Sequence, residues 1–559
     1  MRLGNLIYPL ALLVAAASLL GCGSTKPPAD QIFLMPAPDL YAAGSLDPFV
    51  DKGLIGRRYQ PRILFATDRL PSEDQAQFAF YGDGRDDVLR VGEARIQLGA
   101  DNPITWEEAR RISLLKSRTD KYPLKVAGID EFGVLERTVP PTRTDVERSA
   151  TPGERFTEAV NRRLRDTPFK DVFIYVHGYK VEFENPILVA SELWHFLGYD
   201  GAFIAFSWPS TRKTLAYWSD LDDAINSARR LRALILHIAE NTEVERIHLL
   251  GYSAGTRLVA RALADLGLYG YLLDESALHQ RVKLGHVILV GSDVDRSVML
   301  GYLLDGALRV PDTLTIYQSS GDSALGLSRR VFGRNRLGQI VAGDLSRPGL
   351  RDFLEQHPEL RIIDVSDAEA GTAGSGHGYF RESPWVSSDI LMALLYDLAP
   401  SDRGMVRKPN SPIWTFPEDY VDRLRRALHQ NNPALAVSAR LPHHPIPTPE
   451  DTPHAPTPRR QADRSRSMAL QTRIVDSPGC WRVERLSAAP QRRIAARRLR
   501  ECSKGLSAHH LIGLPGPRQH GDRRLCRQGC RTPPRGVRVC PYPLRTPRVH
   551  RPTRPQRRG

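Results

Sequence analysis

The chain has 559 residues but few cysteines, and after Cys22 the next is Cys480. Residues 23–479 can therefore hold neither a disulfide framework nor a thiolate metal site, and a body without thiols suits an oxidising compartment. Long apolar runs are also scarce. The one that stands out, Leu6–Leu20, is shorter than the roughly 20 residues a membrane span needs. No internal repeat is evident. Histidine–Glu-x-x-His, phosphate-loop and dinucleotide fingerprints are missing, so no metal or organic cofactor is expected. An excess of charge is missing from the body too, although the whole chain carries +15. Residues 441–559 hold 26 basic and 7 acidic side chains, a surplus of 19, which leaves the first 440 residues at −4. The basic balance of the whole therefore does not describe the folded part, and no nucleic-acid partner is expected for it.

The N-terminus combines Arg2, the apolar run Leu6–Leu20, and Gly21 before Cys22, with Leu19 three positions ahead of that cysteine. This resembles the lipobox of a bacterial lipoprotein, although Leu20 is bulkier than the small residue usual there. The resemblance implies cleavage after Gly21, acylation of Cys22, and a lipid-anchored protein. Gly23, where an aspartate would signal inner-membrane retention, implies the outer membrane facing the periplasm. The expected organisation is a signal peptide over 1–21, a tether over 22–60, an α/β domain over 61–400, a helical extension over 401–440 and a basic tail over 441–559.

Between residues 60 and 400, short apolar runs alternate with helical patterns. Ile63–Thr67 and Val88–Leu98 come first. Val172–Val176, Ala202–Ser207, Arg246–Leu250, His286–Val290, Thr313–Tyr317 and Arg361–Val365 follow and are more continuous. Near-continuous apolar strands indicate a sheet covered on both faces, hence mostly parallel with crossover helices. Leu231, Leu234, Ile235 and Ile238 recur at helical spacing, as do Leu258, Val259, Ala262, Leu263 and Leu266. The expectation is an α/β fold whose ligands bind beyond the carboxyl ends of the strands.

Chemistry-bearing residues fall at those ends. Arg246–Leu250 runs into Gly251-Tyr252-Ser253-Ala254-Gly255 and then a helical pattern, the strand–turn–helix context that G-x-S-x-G requires. A serine hydroxyl needs an imidazole to take its proton and a carboxylate to orient that imidazole. His377, in Gly374-Ser375-Gly376-His377-Gly378, follows the last strand and is the candidate base. His248 lies inside the nucleophile strand and reads as core, and His357 precedes the last strand at the wrong end of the sheet. Two positions compete for the acid. Asp322 follows Thr313–Tyr317, while Asp293 and Asp295 follow His286–Val290; the strand position favours Asp322. After Val172–Val176 comes His177-Gly178-Tyr179, where the Tyr179 amide can join that of Ala254 in binding an oxyanion. His177 itself reads as structural. Trp208 and Arg212, in the turn after Ala202–Ser207, are candidates to line the acyl or leaving-group pocket, a packed Trp and a solvated Arg being the plainer description. Only about twenty residues separate Val290 from Thr313, too few for a long helical lid. Asp83, Asp86 and Asp87 read as a Gly-Asp turn rather than a calcium site.

These motifs, with Ile63-Leu64-Phe65-Ala66-Thr67-Asp68-Arg69, Tyr81-Gly82-Asp83-Gly84-Arg85, Ala205-Phe206-Ser207-Trp208-Pro209 and His377-Gly378-Tyr379-Phe380, give a pattern from Ile63 to Ala399. It resembles a bacterial branch of the α/β-hydrolase superfamily known as a domain of unknown function and often found as lipoproteins. The resemblance implies an α/β-hydrolase fold and a Ser–Asp–His hydrolase, with Ser253 and His377 carried over directly and Asp322 as the acid. It implies no substrate. The leading expectation is a membrane-anchored serine hydrolase of small-molecule or lipid carboxylic esters. A non-catalytic envelope scaffold, and a thioesterase or peptidase with the same triad, are the alternatives.

The last 119 residues contain 18 prolines and no sustained periodicity. Arg, Pro, His and Cys rise together there, as they do when a GC-rich gene is read out of frame. The tail is expected to be disordered.

Overall fold

The computed structural model describes residues 31–431, apart from short stretches at 43–46, 50–59, 76–77, 100–103, 116–117, 119, 166, 168, 212–216, 333–334, 340–347, 369–375 and 409–410. Cys22 and its apolar run, Arg212, Gly374 and Ser375, and the basic tail lie outside the described residues.

The core is one eleven-stranded sheet ordered β10-β11-β9-β8-β7-β6-β4-β5-β1-β2-β3. The strands are β1 Arg62–Pro71, β2 Tyr81–Leu98, β3 Leu124–Val134, β4 Asp171–Val176, β5 Ala202–Ser207, β6 Arg246–Tyr252, β7 Leu284–Val290, β8 Thr313–Gln318, β9 Leu360–Asp364, β10 Val406–Arg407 and β11 Trp414–Thr415. From β11 through to β1 every neighbouring pair is parallel, while β2, β3 and β10 add antiparallel edges. The expected doubly covered sheet is what forms. β4, β5, β7 and β8 are buried along their whole length, which is why they lack the alternation of a half-exposed strand.

Alternate residues serve two cores, as the two-residue period of a strand demands. In β4, Val172, Ile174 and Val176 face a layer built by α1 (Thr151–Arg165), α2 (Tyr217–Asn241) and α3 (Gly255–Tyr269). Phe173 and Tyr175 face the other layer, with α4 (Pro384–Tyr396), α5 (Tyr420–Asn431) and the N-terminal segment around Leu34–Tyr41.

Two expectations are corrected, and one strand was not expected. β3 is an added strand that the apolar runs did not reveal. The Gly82–Asp87 stretch read as a turn belongs to β2, whose pairing with β1 slips near Arg69; Asp86 there is ion-paired with Arg90 and Arg143. The 401–440 extension is not purely helical, because β10 and β11 fall within it and β11 pairs in parallel with β9 before the chain enters α5.

Candidate active site

β6 ends in the turn that starts α3, and Ser253 sits in that turn at φ +52°. A positive φ on a non-glycine residue is strained backbone, held only where the surroundings over-determine it. Those surroundings are visible. The Ser253 N–H donates to the Val290 carbonyl at 2.9 Å, and its carbonyl accepts from the N–H and the hydroxyl of Thr256. The neighbours must also be small. A Cβ on Gly255 would stand 2.1 Å from the His177 carbonyl oxygen, and one on Gly178 would stand 2.8 Å from Ser253 Cβ. The glycines of the two motifs are thus the means by which the β4 loop and the elbow touch.

His377 Nε2 lies 2.8 Å from Ser253 Oγ, and His377 Nδ1 lies 2.6 Å from Asp322 Oδ2. The Asp322 carboxylate is fully buried, and its second oxygen accepts from the Leu325 N–H at 2.9 Å. An ionised carboxylate can only accept, so Nδ1 carries the proton and Nε2 is left as an acceptor aimed at the serine hydroxyl. Three side chains separated by up to 124 positions in the chain meet in the geometry a hydroxyl needs for activation.

Between the two aspartate positions the geometry is decisive. Asp293 is buried but accepts from Arg257 Nε at 3.1 Å and from the Ser328 hydroxyl at 2.7 Å, and is ion-paired with Arg336 at 3.3 Å, so its carboxylate is spent on a buried ionic cluster. Asp295 accepts from the N–H groups of Ser297 and Val298 as the cap of the helix Arg296–Leu304. Asp322 is the carboxylate on the imidazole.

The loop after β4 is held from behind. His177 stacks flat on Trp208 with ring centroids 4.9 Å apart, and the Trp208 indole N–H donates to the His177 carbonyl at 2.7 Å. Burial, helped by the nearby Arg69 charge, pushes the His177 pKa far down and keeps the ring neutral. Trp208 is itself fully buried. Of the two descriptions offered for it, the packed Trp is the one that forms: one face is covered by His177 and the indole N–H is used on the His177 carbonyl, so it braces the His-Gly loop instead of lining the pocket. The Ser253 amide is taken by the Val290 carbonyl, and the Ala254 amide follows it at the opening of α3. First-turn N–H groups have no acceptor within their own helix.

Sequence reasoning missed the support under His377. Gly291, at φ +55°, follows β7, and a Cβ there would stand 2.9 Å from His377 Cε1. Its N–H donates to the Tyr379 hydroxyl at 2.7 Å, which in turn donates to the Tyr317 carbonyl at 3.0 Å. Tyr379 thereby ties the histidine loop to the ends of β7 and β8. The Tyr252 ring lies 5.2 Å from His377 and 4.8 Å from Phe380, and burial raises its phenol pKa, so it remains protonated. Tyr379 was within sight, as part of His377-Gly378-Tyr379-Phe380; Gly291 carried no motif.

Comparisons with known proteins found a family, a relative and a solved structure to which this chain is similar. Residues 153–394 match a family described as an alpha/beta hydrolase of unknown function. Over 65 residues the chain is 38% identical to an uncharacterized protein of Nostoc sp. (strain PCC 7120), a match covering 12% of this chain and 17% of that protein. The chain thus spans about a sixth of that relative's length. Among solved structures, Thermogutta terrifontis esterase 2 phosphoramylated by tabun is similar at 14% identity and a TM-score of 0.22, over 42% of this chain and 86% of that one. The parallel sheet and the strand–Ser253–helix elbow are those of an α/β-hydrolase fold, and it is over residues 153–394 that the chain is similar to that hydrolase family.

Proposed function

We propose that the protein is a serine hydrolase of carboxylic esters, anchored to the cell envelope through a lipid on Cys22. The observation that carries the reaction is the continuous contact from Asp322 through His377 to Ser253, with both imidazole nitrogens engaged. In this reading Ser253 Oγ attacks the ester carbonyl while His377 Nε2 takes its proton. The Asp322 carboxylate keeps the proton on Nδ1 and stabilises the imidazolium that forms. The amides of Tyr179 and Ala254 receive the developing oxyanion. His377 then protonates the leaving alkoxide, the acyl group remains on Ser253, and a water deprotonated by the same imidazole releases it. In this reading Arg212 lines the acyl or leaving-group pocket, while Trp208 supports the His-Gly loop from behind. The anchoring rests on Leu6–Leu20 and Gly21-Cys22, which would hold the domain at the outer membrane facing the periplasm.

Labelling the purified protein with a fluorophosphonate tests the chemistry. Wild type is expected to form a stoichiometric adduct on Ser253, and Ser253→Ala none; an unlabelled wild type would favour a scaffold that keeps only the fold. Turnover of matched p-nitrophenyl esters, acyl thioesters and amides then assigns the bond class, with esters expected to lead. Metabolic incorporation of a labelled fatty acid, lost in Cys22→Ala, tests the anchor.

A further inference from the structure

Thr67-Asp68-Arg69 belongs to the sequence pattern yet has no part in the triad, and it lies outside the family match at 153–394. We propose that Arg69 is the positioning residue of the oxyanion loop, the clamp that fixes the peptide carrying the Tyr179 amide. This inference rests on the serine-hydrolase reading above and adds a residue to its machinery.

Arg69 stands near the carboxyl end of β1 and is only 1% exposed. Its guanidinium reaches four acceptors on three other segments. Nε donates to the Ser207 hydroxyl at 3.0 Å, at the end of β5. Nη1 donates to the carbonyls of Gly82 and Ser210, each at 3.2 Å, and Nη2 to the Val181 carbonyl at 2.9 Å. All four acceptors are neutral. A cation buried merely to neutralise a carboxylate would touch one; here the balancing charges of Asp68, Glu184, Asp83 and Asp220 act through space. The planar fork is being used to hold backbone at several points at once, which the point charge of a lysine cannot reproduce.

What the fork holds is the far side of the oxyanion loop. Val181 lies two residues after Tyr179, and between them Lys180 has φ +69°, a conformation that relaxes unless both ends are fixed. The near end is fixed by the His177–Trp208 stack and the Trp208 indole bond. The far end is fixed by Arg69 on the Val181 carbonyl and by the Ser210 hydroxyl, which accepts from the Val181 N–H at 3.1 Å. Ser210 is in turn held by Arg69. Cutting the far attachment leaves the triad contacts untouched and frees the Tyr179 peptide to rotate. An oxyanion donor displaced by about an ångström loses much of its effect, on the scale of 10²-fold.

The test compares wild type, Arg69→Lys and Ser210→Ala, with active sites counted by fluorophosphonate titration. Arg69→Lys is expected to lower kcat per titrated site 10- to 100-fold with KM within twofold. Binding of a trifluoromethyl ketone, which forms the tetrahedral adduct, should weaken by the same factor. The acid limb of the pH profile should stay in place, because the His377–Asp322 contact is unchanged. Ser210→Ala keeps the cation and is expected to show the same pattern at 3- to 10-fold; it decides the matter if the lysine variant does not fold. Wild-type kcat per titrated site in the folded variants would overturn the proposal and leave Arg69 as fold support. Hydrogen–deuterium exchange of peptide 177–183 gives a readout independent of turnover. It should quicken in the variants while the β6–α3 elbow stays protected, and unchanged exchange would overturn the clamp even if the wild type proved inert toward esters.

Discussion

At the residue scale, the site depends on close approaches that leave no room for a side chain, such as Gly255 against the His177 carbonyl and Gly178 against Ser253. Ser253 and His377 are conspicuous because their flanking glycines are steric necessities of an elbow and a loop. Asp322 could be preferred over Asp293 only by counting strands, and contact with the imidazole separates them. Gly291 and Arg69 are harder to read, since what they meet is a ring edge and backbone carbonyls, and carbonyls have no letter in the sequence. Gly291 gives a sharp prediction. Alanine there must carry a positive φ and place a methyl within 2.9 Å of His377 Cε1. Gly291→Ala is expected to lose at least 10²-fold in kcat, and about 1–2 kcal/mol of stability in urea unfolding. Full activity would mean that the loop yields freely. For the triad itself, His377→Ala should remove most turnover, about 10⁴-fold, and Asp322→Asn somewhat less, both measured as kcat/KM per folded protein.

At the element scale, the parallel strands were legible as apolar runs because both their faces are covered. β3 was not, for the opposite reason: after Leu124 and Val126 it is at most half-buried, with Asp130 and Glu131 exposed, so it shows no run to find. Two-residue strands such as β10 and β11 are too short to give any period at all. The elements around the histidine loop are joined by a buried pair. Arg403 and Asp389 are both fully buried, with Arg403 Nε 2.6 Å from Asp389 Oδ1, and the Tyr317 hydroxyl donates to the same carboxylate. This fastens α4 to the end of β8, the strand that leads to Asp322. Removing one partner leaves a buried charge unpaired, so Arg403→Ala is expected to cost about 3–5 kcal/mol in urea unfolding. The double replacement Asp389→Leu with Arg403→Met should recover most of that loss. A double variant no more stable than the single would show that the pair acts through packing rather than charge.

At the scale of the whole molecule, charge divides the chain in a way that simple counting along the sequence reveals, while the ionisation of the folded body depends on burial and is invisible there. Among the described residues, His177, His195, His237 and His248 all have pKa values lowered by burial, to about 3 for His195 and about 4 for His237. Unfolding releases them to protonate near 6.5, so the stability they contribute is present above that pH and is lost as pH falls toward their folded values. Asp68 and Asp220 oppose this. Burial raises both to about 6, so they favour the folded state when protonated, and their contribution grows as pH falls from 6 toward 4. Glu184 and Asp223 are raised by burial as well, while Asp86, Asp171 and Asp397 are held below the usual carboxylate range; with the four histidines, the lowered groups leave the unfolded chain binding more protons. Each net proton is worth about 1.4 kcal/mol per pH unit, enough to consume a typical stability of about 5–15 kcal/mol within a few units. Calorimetric Tm is expected to be level above pH 7 and to fall steadily from pH 6.5 to pH 4. Asp68→Asn isolates one opposing term. It relieves a buried carboxylate that is ionised only at the higher pH, while the Ser227 hydroxyl, 2.6 Å away, keeps an acceptor. The variant should therefore melt higher than wild type at pH 7.5, match it near pH 4, and show a steeper acid limb between them; a lower Tm at both pH values would mean that the Arg230 charge beside Asp68 outweighs its burial.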